Sequence, residues 1–183
     1  MLLIVALIIA AVIILWFIIT YNHFIKNRNL IKEAWSGIDV QLKRRHNLIP
    51  GLVETVKAYS THERKLFNEI TEKRSKSELI QNLKDKAAAE TDISGMLKNL
   101  FLVVEDYPDL KANVNFLDLQ SQLIDIEDQL QYSRRYYNGT VRNYNIRVES
   151  FPGNIIAGIF DFKAEDFFEI ILATERKTPK VEL

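Results

Sequence analysis

The chain contains no cysteine among its 183 residues, which excludes disulfides, cysteine-based zinc sites and thiol catalysis within it. Glycine and proline are scarce, with six and four residues. So few helix breakers favour a small number of long helices over a turn-rich sheet. An excess of one charge is also lacking, because 24 basic residues balance 24 acidic ones. We therefore expect an all-α protein that has no overall attraction for nucleic acid.

Residue patterns typical of catalytic centres are missing as well. The three histidines are scattered, and Leu66 stands four residues after His62, where a helical zinc-protease motif requires a second histidine. The glycines are isolated, so the chain has no glycine-rich phosphate loop, and no serine between glycines forms a nucleophile elbow. We predict no enzymatic activity, no cofactor and no metal site. A hydrolase would need a site built from Glu, Asp and Tyr alone, and is the least favoured alternative.

What the chain does contain is a long apolar run over residues 2–19, without a charged residue. As a helix this run is roughly 27 Å long, close to the thickness of the hydrocarbon core of a bilayer. No basic residue precedes the run and its alanines lie in its middle, which favours an uncleaved transmembrane anchor over a signal peptide. The residues assigned to the anchor and its interfacial end are Leu2, Leu15, Trp16, Ile19 and Tyr21.

The charges beside this run predict an orientation. Residues 26–45 contain six basic and two acidic residues. Basic residues stay on the cytoplasmic side of a membrane, so we expect a single-pass protein of the cell (inner) membrane with its N-terminus outside and its helical domain in the cytoplasm.

After the anchor, apolar residues recur with the spacing of helices that pack on one another. In the first series of such positions, spacings of four and three residues alternate, and every member except Arg45 is apolar or aromatic. Its members are Ile31, Trp35, Ile38, Leu42, Arg45, Ile49, Leu52, Val56 and Tyr59. Because the spacing stays in phase through Pro50, we expect one kinked helix here and not two separate helices.

Two further helical regions follow. Residues 61–104 have apolar faces at both ends and a polar middle, with Ser75 and Ser77 as possible break points, and a turn is expected at residues 107–109. Residues 111–149 carry a second long series of core positions. Its members are Phe116, Leu119, Leu123, Ile126, Leu130, Ser133, Tyr137, Val141, Tyr144 and Val148. These patterns predict a transmembrane helix that continues into an antiparallel bundle of three to four long helices, with coiled-coil-like packing.

The end of the chain has a different composition. Residues 155–171 crowd aliphatic and aromatic side chains together, and could cap the bundle, contact lipid or contact a neighbouring subunit. The predicted organisation is an anchor at residues 1–24, a helical bundle at residues 25–174 and a flexible tail at residues 175–183.

Several polar residues lie on or beside the two core series and form the candidate site. An unpaired buried arginine costs several kcal/mol, so Arg45 should pair with a carboxylate across the bundle, with Glu127 as first choice. A register-setting ion pair and a partner-binding or charge-sensing site both remain open for this group. The candidate residues of this polar network or partner surface are Asp39, Gln41, Arg44, Arg45, Glu127, Arg134, Tyr137 and Asn138.

At these residues the chain resembles the LemA family of bacterial membrane proteins. The first half of the resemblance lies in residues 29–45 (NLIKEAWSGIDVQLKRR), 47–50 (NLIP) and 52–57 (LVETVK). The second half includes residues 107–113 (YPDLKAN), Glu127, Arg134, Tyr137, Asn138, Val141, Tyr144, Asn145, Phe151 and Pro152. The resemblance implies a single-pass membrane protein with an antiparallel helical bundle and a poorly defined molecular activity, often accompanied by a membrane metalloprotease.

Together these features predict a non-enzymatic, membrane-anchored helical scaffold that self-associates and would organise or remodel membrane. Its expected partners are membrane lipid and further copies of the chain, as a homo-oligomer. The alternative is an adaptor or regulator of another membrane protein, such as a membrane protease or a sensor kinase.

Overall fold

A computed structural model of the chain describes residues 1–60 and 62–168. Within these residues the secondary structure is helical and contains no strand, which confirms the all-α prediction. In this described part of the chain the six helices are α1 (Leu2–Lys57), α2 (Arg64–Leu79), α3 (Leu83–Val104), α4 (Pro108–Lys111), α5 (Val114–Glu149) and α6 (Gly153–Ile159).

The helix α1 joins the apolar run and the first core series in one element of 56 residues. Pro50 lies inside this helix, so the prediction of one helix and not two is confirmed. Along the apolar run the side chains are exposed, whereas Ile38, Leu42 and Leu52 in the core series are buried. The same helix therefore has a segment that the described part of the chain leaves uncovered and a segment that packs on other helices.

The polar region after α1 divides into two helices, and the break differs from the sequence expectation. Ser75 and Ser77 remain helical, and the Ser75 hydroxyl donates to the carbonyl of Thr71 at 3.0 Å. The break comes at Ile80, whose backbone is extended. Asn82 then caps α3 by accepting hydrogen bonds from the N–H groups of Lys84 and Asp85. An asparagine cap satisfies backbone donors at a helix start, which neither serine does here.

The start of the last long helix is also later than predicted. Pro108 begins the short helix α4 at the position where the sequence predicted a turn, since proline is tolerated in the first turn of a helix. Asn113 then accepts a hydrogen bond from the N–H of Phe116 at 3.1 Å and so stabilises the first turn of α5. The helix therefore begins at Val114 and not at residue 111.

The described residues form two compact units. The first unit comprises Met1–Asp39 and Tyr132–Phe167, and the second comprises Val40–Gln131 with residue 168. In the first unit α1 and α5 run antiparallel, since Phe24 contacts Tyr144 and Trp35 contacts Tyr137. The predicted boundaries at residues 24 and 174 stay predictions, and the expected flexible tail at residues 175–183 lies outside the described residues.

The second unit has an apolar core contributed by α1, α2, α3, α4 and α5. Its buried members are Ile49, Leu52, Val53, Val56, Phe67, Ile70, Ile93, Leu97, Leu100, Val104, Leu110, Phe116 and Leu123. The spacing of three and four residues in each long helix places these side chains on one stripe, which explains why the four long helices can share one core, to which α4 adds Leu110.

Candidate functional site

The centre of the candidate site is Arg45, a charged residue at a core position of α1 in the second unit. Its side chain is only 1% exposed. A guanidinium at this depth has lost its hydration, and replacement hydrogen bonds must come from protein groups. The neighbouring helices α3 and α5 supply them.

Three residues bind the guanidinium of Arg45. Its Nη2 donates to the carboxylate of Glu90 and to the Glu90 backbone carbonyl, the latter at 3.2 Å. Its Nη1 donates to Ser94 Oγ at 2.8 Å and to Glu127 Oε2 at 3.0 Å. One arginine of α1 is therefore held by two carboxylates on two different helices.

Glu90 is the second buried charge of the site, with 0% exposure. Burial by itself would raise the pKa of this carboxyl group. Hydrogen bonding from His46, the positive charge of Arg45 and a hydrogen bond from the Ser77 hydroxyl outweigh burial and lower the pKa of Glu90 to about 2. Glu90 is thus held as a carboxylate inside the protein at neutral pH.

His46 links this carboxylate to the helix α2. Its Nε2 lies 3.0 Å from Oε1 of Glu90, and its Nδ1 lies 3.6 Å from Oε1 of Glu78. The backbone carbonyl of His46 accepts a hydrogen bond from Nη1 of Arg74 at 3.3 Å. The site therefore connects α1, α2, α3 and α5 through side chains.

A further contact closes the site at the C-terminal end of α2. The ammonium of Lys86, on α3, is buried and donates to the carbonyl oxygen of Ser77 at 3.1 Å. A cation at this position satisfies a terminal carbonyl and opposes the negative end of the helix dipole. We call the group Arg45, His46, Ser77, Lys86, Glu90, Ser94 and Glu127 the polar core.

The chemistry of the polar core is that of fixed charges. The carboxylate of Glu90 accepts hydrogen bonds from Arg45 and Ser77 and is deeply buried. Glu127, at 35% exposure, and the half-buried Ser94 bring the polar core toward solvent. Within residues 1–60 and 62–168 no group of three histidine, aspartate or glutamate side chains is placed to hold a metal ion. The arrangement can fix the relative positions of four helices.

The other residues predicted from the sequence divide between the two units. In the second unit Arg44 is exposed, and its Nη1 donates to Oε1 of Gln41 at 3.1 Å. In the first unit Arg134 is buried, whereas Asp39 and Asn138 are half-buried. The structure thus brings Arg45 and Glu127 together, while Gln41 and Arg44 form a separate surface pair.

Tyr137, also in the first unit, packs its ring against Trp35 with 6.0 Å between ring centroids. Its hydroxyl donates a hydrogen bond to the backbone carbonyl of Asp166 at 3.1 Å. Burial, followed by the negative charges of Glu165 and Asp166, raises the pKa of Tyr137 to about 12. This residue stabilises the fold of the first unit.

Sequence reasoning missed Glu90, although a signal for it exists. The core positions of α3 include Ile93, Leu97, Leu100 and Val104, spaced four, three and four residues apart. Extending this spacing backwards by three residues reaches Glu90. A lone acidic residue on this stripe matches the lone basic residue Arg45 on the stripe of α1, and the two together predict the buried pair.

The predicted anchor residues lie in the first unit at the start of α1. Leu2, Leu15 and Ile19 are exposed, and Trp16 and Tyr21 are half-buried. Among the described residues one helix, α1, is long and apolar enough to cross a membrane, and its most apolar window has no buried residue. The described part of the chain therefore does not cover this surface.

A model of the LemA family matches residues 34–183. The chain belongs to the LemA family. The match includes Arg45, Glu90 and Glu127, so the polar core lies within the family region, whereas the apolar run precedes it.

Three curated relatives of this LemA-family chain illustrate its similarity. Magnetosome protein MamQ 2 of Paramagnetospirillum magneticum is 26% identical, and the match covers 81% of this chain and 64% of the relative. Magnetosome protein MamQ of Magnetospirillum gryphiswaldense is 23% identical, with the same coverage. Protein LemA of Metamycoplasma hominis is 26% identical, covering 76% of this chain and 64% of the relative.

The LemA-family chain therefore spans slightly less than two thirds of the length of these relatives. Two of the names refer to magnetosomes, and none of the three describes an enzymatic reaction. Together with the uncovered apolar segment of α1, these findings indicate a membrane-associated protein.

Proposed function

We propose that this chain is a non-enzymatic, membrane-anchored helical scaffold that self-associates and thereby organises membrane. The apolar run of α1 is a single-pass anchor in the cell membrane, with the N-terminus outside and the helical part in the cytoplasm. The polar core keeps the helices in one register, so that their outer surfaces are presented to neighbouring copies in a defined arrangement.

The observation that carries self-association is an outer face of α5 with exposed apolar side chains. We define this face, within the second unit, by Val114, Leu117 and Ile124, all of which are exposed. At 3.6 residues per turn these positions fall within about one third of the helix circumference, opposite the buried series of α5. The apolar side chains favour contact with another molecule.

Charged residues on the same arc limit the strength of that contact. Asp118, Asp125 and Asp128 lie near the apolar positions and are exposed. A weak lateral contact is still effective for an anchored protein, because confinement to the membrane plane raises the effective concentration of each copy. We therefore expect assembly that depends on the density of protein in the bilayer.

Disulfide cross-linking tests the assembly directly, because the chain has no cysteine of its own. Ile124→Cys places a thiol on the outer face, and Gln129→Cys places one at an exposed position about 140° away around the same helix. In lipid bilayers the first variant should form cross-linked dimers at a lower protein-to-lipid ratio than the second.

The mass of the detergent-extracted particle should exceed that of one chain. Equal cross-linking of the two variants, or a strictly monomeric species at high membrane density, would contradict the proposal.

The proposed orientation is tested with one exposed residue of α1. Ser36→Cys should react with a membrane-impermeant maleimide only after the cell membrane has been permeabilised, since the helical part is proposed to face the cytoplasm. Labelling in intact cells would reverse the orientation while leaving the anchor in place.

A second candidate function, an adaptor for another membrane protein such as a protease or sensor kinase, is favoured by the surface pair Gln41 and Arg44. The hydrogen bond from Arg44 to Gln41 orders an exposed guanidinium that could contact a partner carboxylate. Arg44→Glu should then reduce co-purification of that partner from solubilised membranes. Glu54→Lys, an exposed charge reversal elsewhere on α1, is the matched control.

A further inference from the structure

The end of α6 in the first unit packs against the end of the apolar run. The ring of Phe160, which directly follows α6, lies 4.7 Å from the ring of Tyr21 and 5.8 Å from that of Phe17, measured between centroids. Phe17 belongs to the last turn of the apolar run, and Tyr21 follows it by one turn. Phe160 therefore lies at the level along α1 where the apolar run ends.

The path of the chain shows that Phe160 is the tip of this segment. The start of α6 lies close to Phe24, because a Cβ atom placed on Gly153 would be 3.8 Å from Cζ of Phe24. Phe24 is farther along α1 than the end of the apolar run. After Phe160 the backbone turns at Asp161, whose φ is 54°, and the ring of Phe162 stacks on Phe24 at 4.9 Å. The segment thus approaches the apolar run, reverses and leaves it again.

Gly153 makes this path possible at its start. A Cβ atom at this position would lie 2.6 Å from the backbone oxygen of Arg147, a distance that side chains do not tolerate. The lack of a side chain therefore lets the first turn of α6 pack directly on the end of α5.

The short helix has two different faces. Ile156 and Ala157 are buried within the first unit. Ile155 is 50% exposed and Ile159 is 61% exposed, and Phe160 also keeps 43% of its surface exposed. Among these exposed apolar side chains, Phe160 contacts the end of the apolar run, and Ile155 and Ile159 lie on the two turns of α6 that lead to it.

We propose that Ile155, Ile159 and Phe160 form a second membrane contact, which inserts into the lipid interface next to the anchor. The inference rests on the proposed anchoring of the apolar run. The occupant is lipid because Phe160 contacts the part of α1 that reaches the boundary between acyl chains and headgroups when the run spans the bilayer. Amphipathic segments bind at this depth by burying their apolar face.

This second contact changes how the protein is held in the membrane. A single helix permits rotation and tilt of the attached helical part, whereas a second point of insertion restricts both. The segment would thus set the orientation of the first unit relative to the membrane plane.

Site-directed spin labelling tests the proposal with the full chain in lipid nanodiscs. Three single-cysteine variants use exposed positions, so that the label does not disturb the core. Ile159→Cys probes the proposed contact and Ile13→Cys probes the anchor. Ser36→Cys is the aqueous control, since it lies about 25 Å beyond the apolar run along α1.

The measured quantity is the accessibility of each label to oxygen relative to a water-soluble nickel chelate. We expect the ratio at residue 159 to be several-fold higher than at residue 36 and to approach that at residue 13. Ile155→Cys should give the same result and serves if labelling at residue 159 lowers the helix content measured by circular dichroism.

If the label at residue 13 lies in lipid but the labels at residues 155 and 159 lie in water, this inference is overturned and the anchor stands. An aqueous label at residue 13 would overturn the anchor itself and this inference with it. The two failures are therefore distinguishable.

Discussion

The Nη1 atom of Arg74 on α2 donates a hydrogen bond of 3.3 Å to the backbone carbonyl oxygen of His46 on α1. In a regular helix this carbonyl accepts the N–H of the residue four positions later, which here is Pro50. Proline has no N–H, so the carbonyl of His46 lacks its partner within the helix. A side chain of the neighbouring helix therefore replaces a backbone hydrogen bond at the one proline inside α1.

The pairing of Arg74 with His46 predicts a specific coupling between Arg74 and Pro50. Arg74→Ala should lower the free energy of unfolding by about 1–2 kcal/mol, because the carbonyl is left without a donor. Pro50→Ala restores the N–H group of the helix at this position. In that background, Arg74→Ala should lower the free energy of unfolding by a smaller amount. Circular dichroism during urea denaturation in detergent micelles measures all four variants of this cycle.

Arg74 also lies 3.3 Å from Glu78, so Glu78→Ala serves as the control for loss of that ion pair. Additive effects of Arg74→Ala and Pro50→Ala would show that the carbonyl contact does not contribute to stability.

The polar core predicts that Arg45→Ala strongly lowers the free energy of unfolding. Removing this side chain leaves the buried carboxylate of Glu90 without its main cation, which typically costs about 3–5 kcal/mol. Arg44→Ala, at the adjacent exposed position, should change the free energy of unfolding by less than about 0.5 kcal/mol. Thermal or chemical unfolding of both variants makes the comparison.

Replacing Arg45 and Glu90 together by Met and Leu should recover part of the lost stability, because apolar pairs of similar volume can substitute for a buried ion pair. A stability of Arg45→Ala equal to that of Arg44→Ala would mean that the polar core does not hold the helices.

The pKa of Glu90 predicts that the protein loses stability in acid. The pKa is near 4.5 in the unfolded chain and about 2 in the folded protein. A lowered pKa contributes stability that is fully present above pH 4.5 and is lost as the pH falls toward 2. The contribution is up to about 3 kcal/mol.

Unfolding free energies measured between pH 6 and pH 2 check this dependence. Glu90→Gln should be less stable at pH 6 and should lose less stability on acidification than the parent. The exposed substitution Glu54→Gln should leave the pH profile unchanged. If the free energy of unfolding falls equally with pH in Glu90→Gln and in the parent, the carboxylate of Glu90 is not the source of the acid sensitivity.

The raised pKa of Tyr137 predicts that the protein loses stability at alkaline pH. Its pKa is raised to about 12 from an ordinary value of 10, so its contribution to stability is present below pH 10 and is lost as the pH rises through 12. Tyr137→Phe should also cost about 1 kcal/mol near neutral pH, through loss of the hydrogen bond to Asp166.

Because burial also raises the pKa of Tyr144, absorbance of tyrosinate during an alkaline titration should show one late-ionising tyrosine fewer in Tyr137→Phe than in the parent, and no such loss in the control Tyr136→Phe. Ionisation of all tyrosines together near pH 10 would contradict the raised pKa.

Much of the fold follows from local patterns. The apolar run and the first core series predicted one continuous helix through Pro50, and α1 has this form. The core series of residues 116–148 predicted the buried side of α5, where Leu130, Tyr137 and Tyr144 are buried. Spacing of three and four residues determines which side chains share a face, so such predictions need no tertiary information.

Boundaries were less predictable, because they depend on single capping residues. The break between α2 and α3 comes at Ile80, before the cap residue Asn82, although two serines earlier in the chain offered similar local chemistry. Several polar residues could have served as the cap, and the contacts of Ser77 with Glu90 and Lys86, which no local pattern shows, hold this serine within α2.

What the sequence by itself determined is the helical class, the apolar run and the need for a carboxylate partner of Arg45. Only the tertiary structure decided that this partner is Glu90 as well as Glu127, and that Arg74 supplies the donor that Pro50 lacks. The physical reason is that periodicity specifies the face on which a residue lies. The pairing of charges on different helices depends on how those helices are aligned, which is a property of packing.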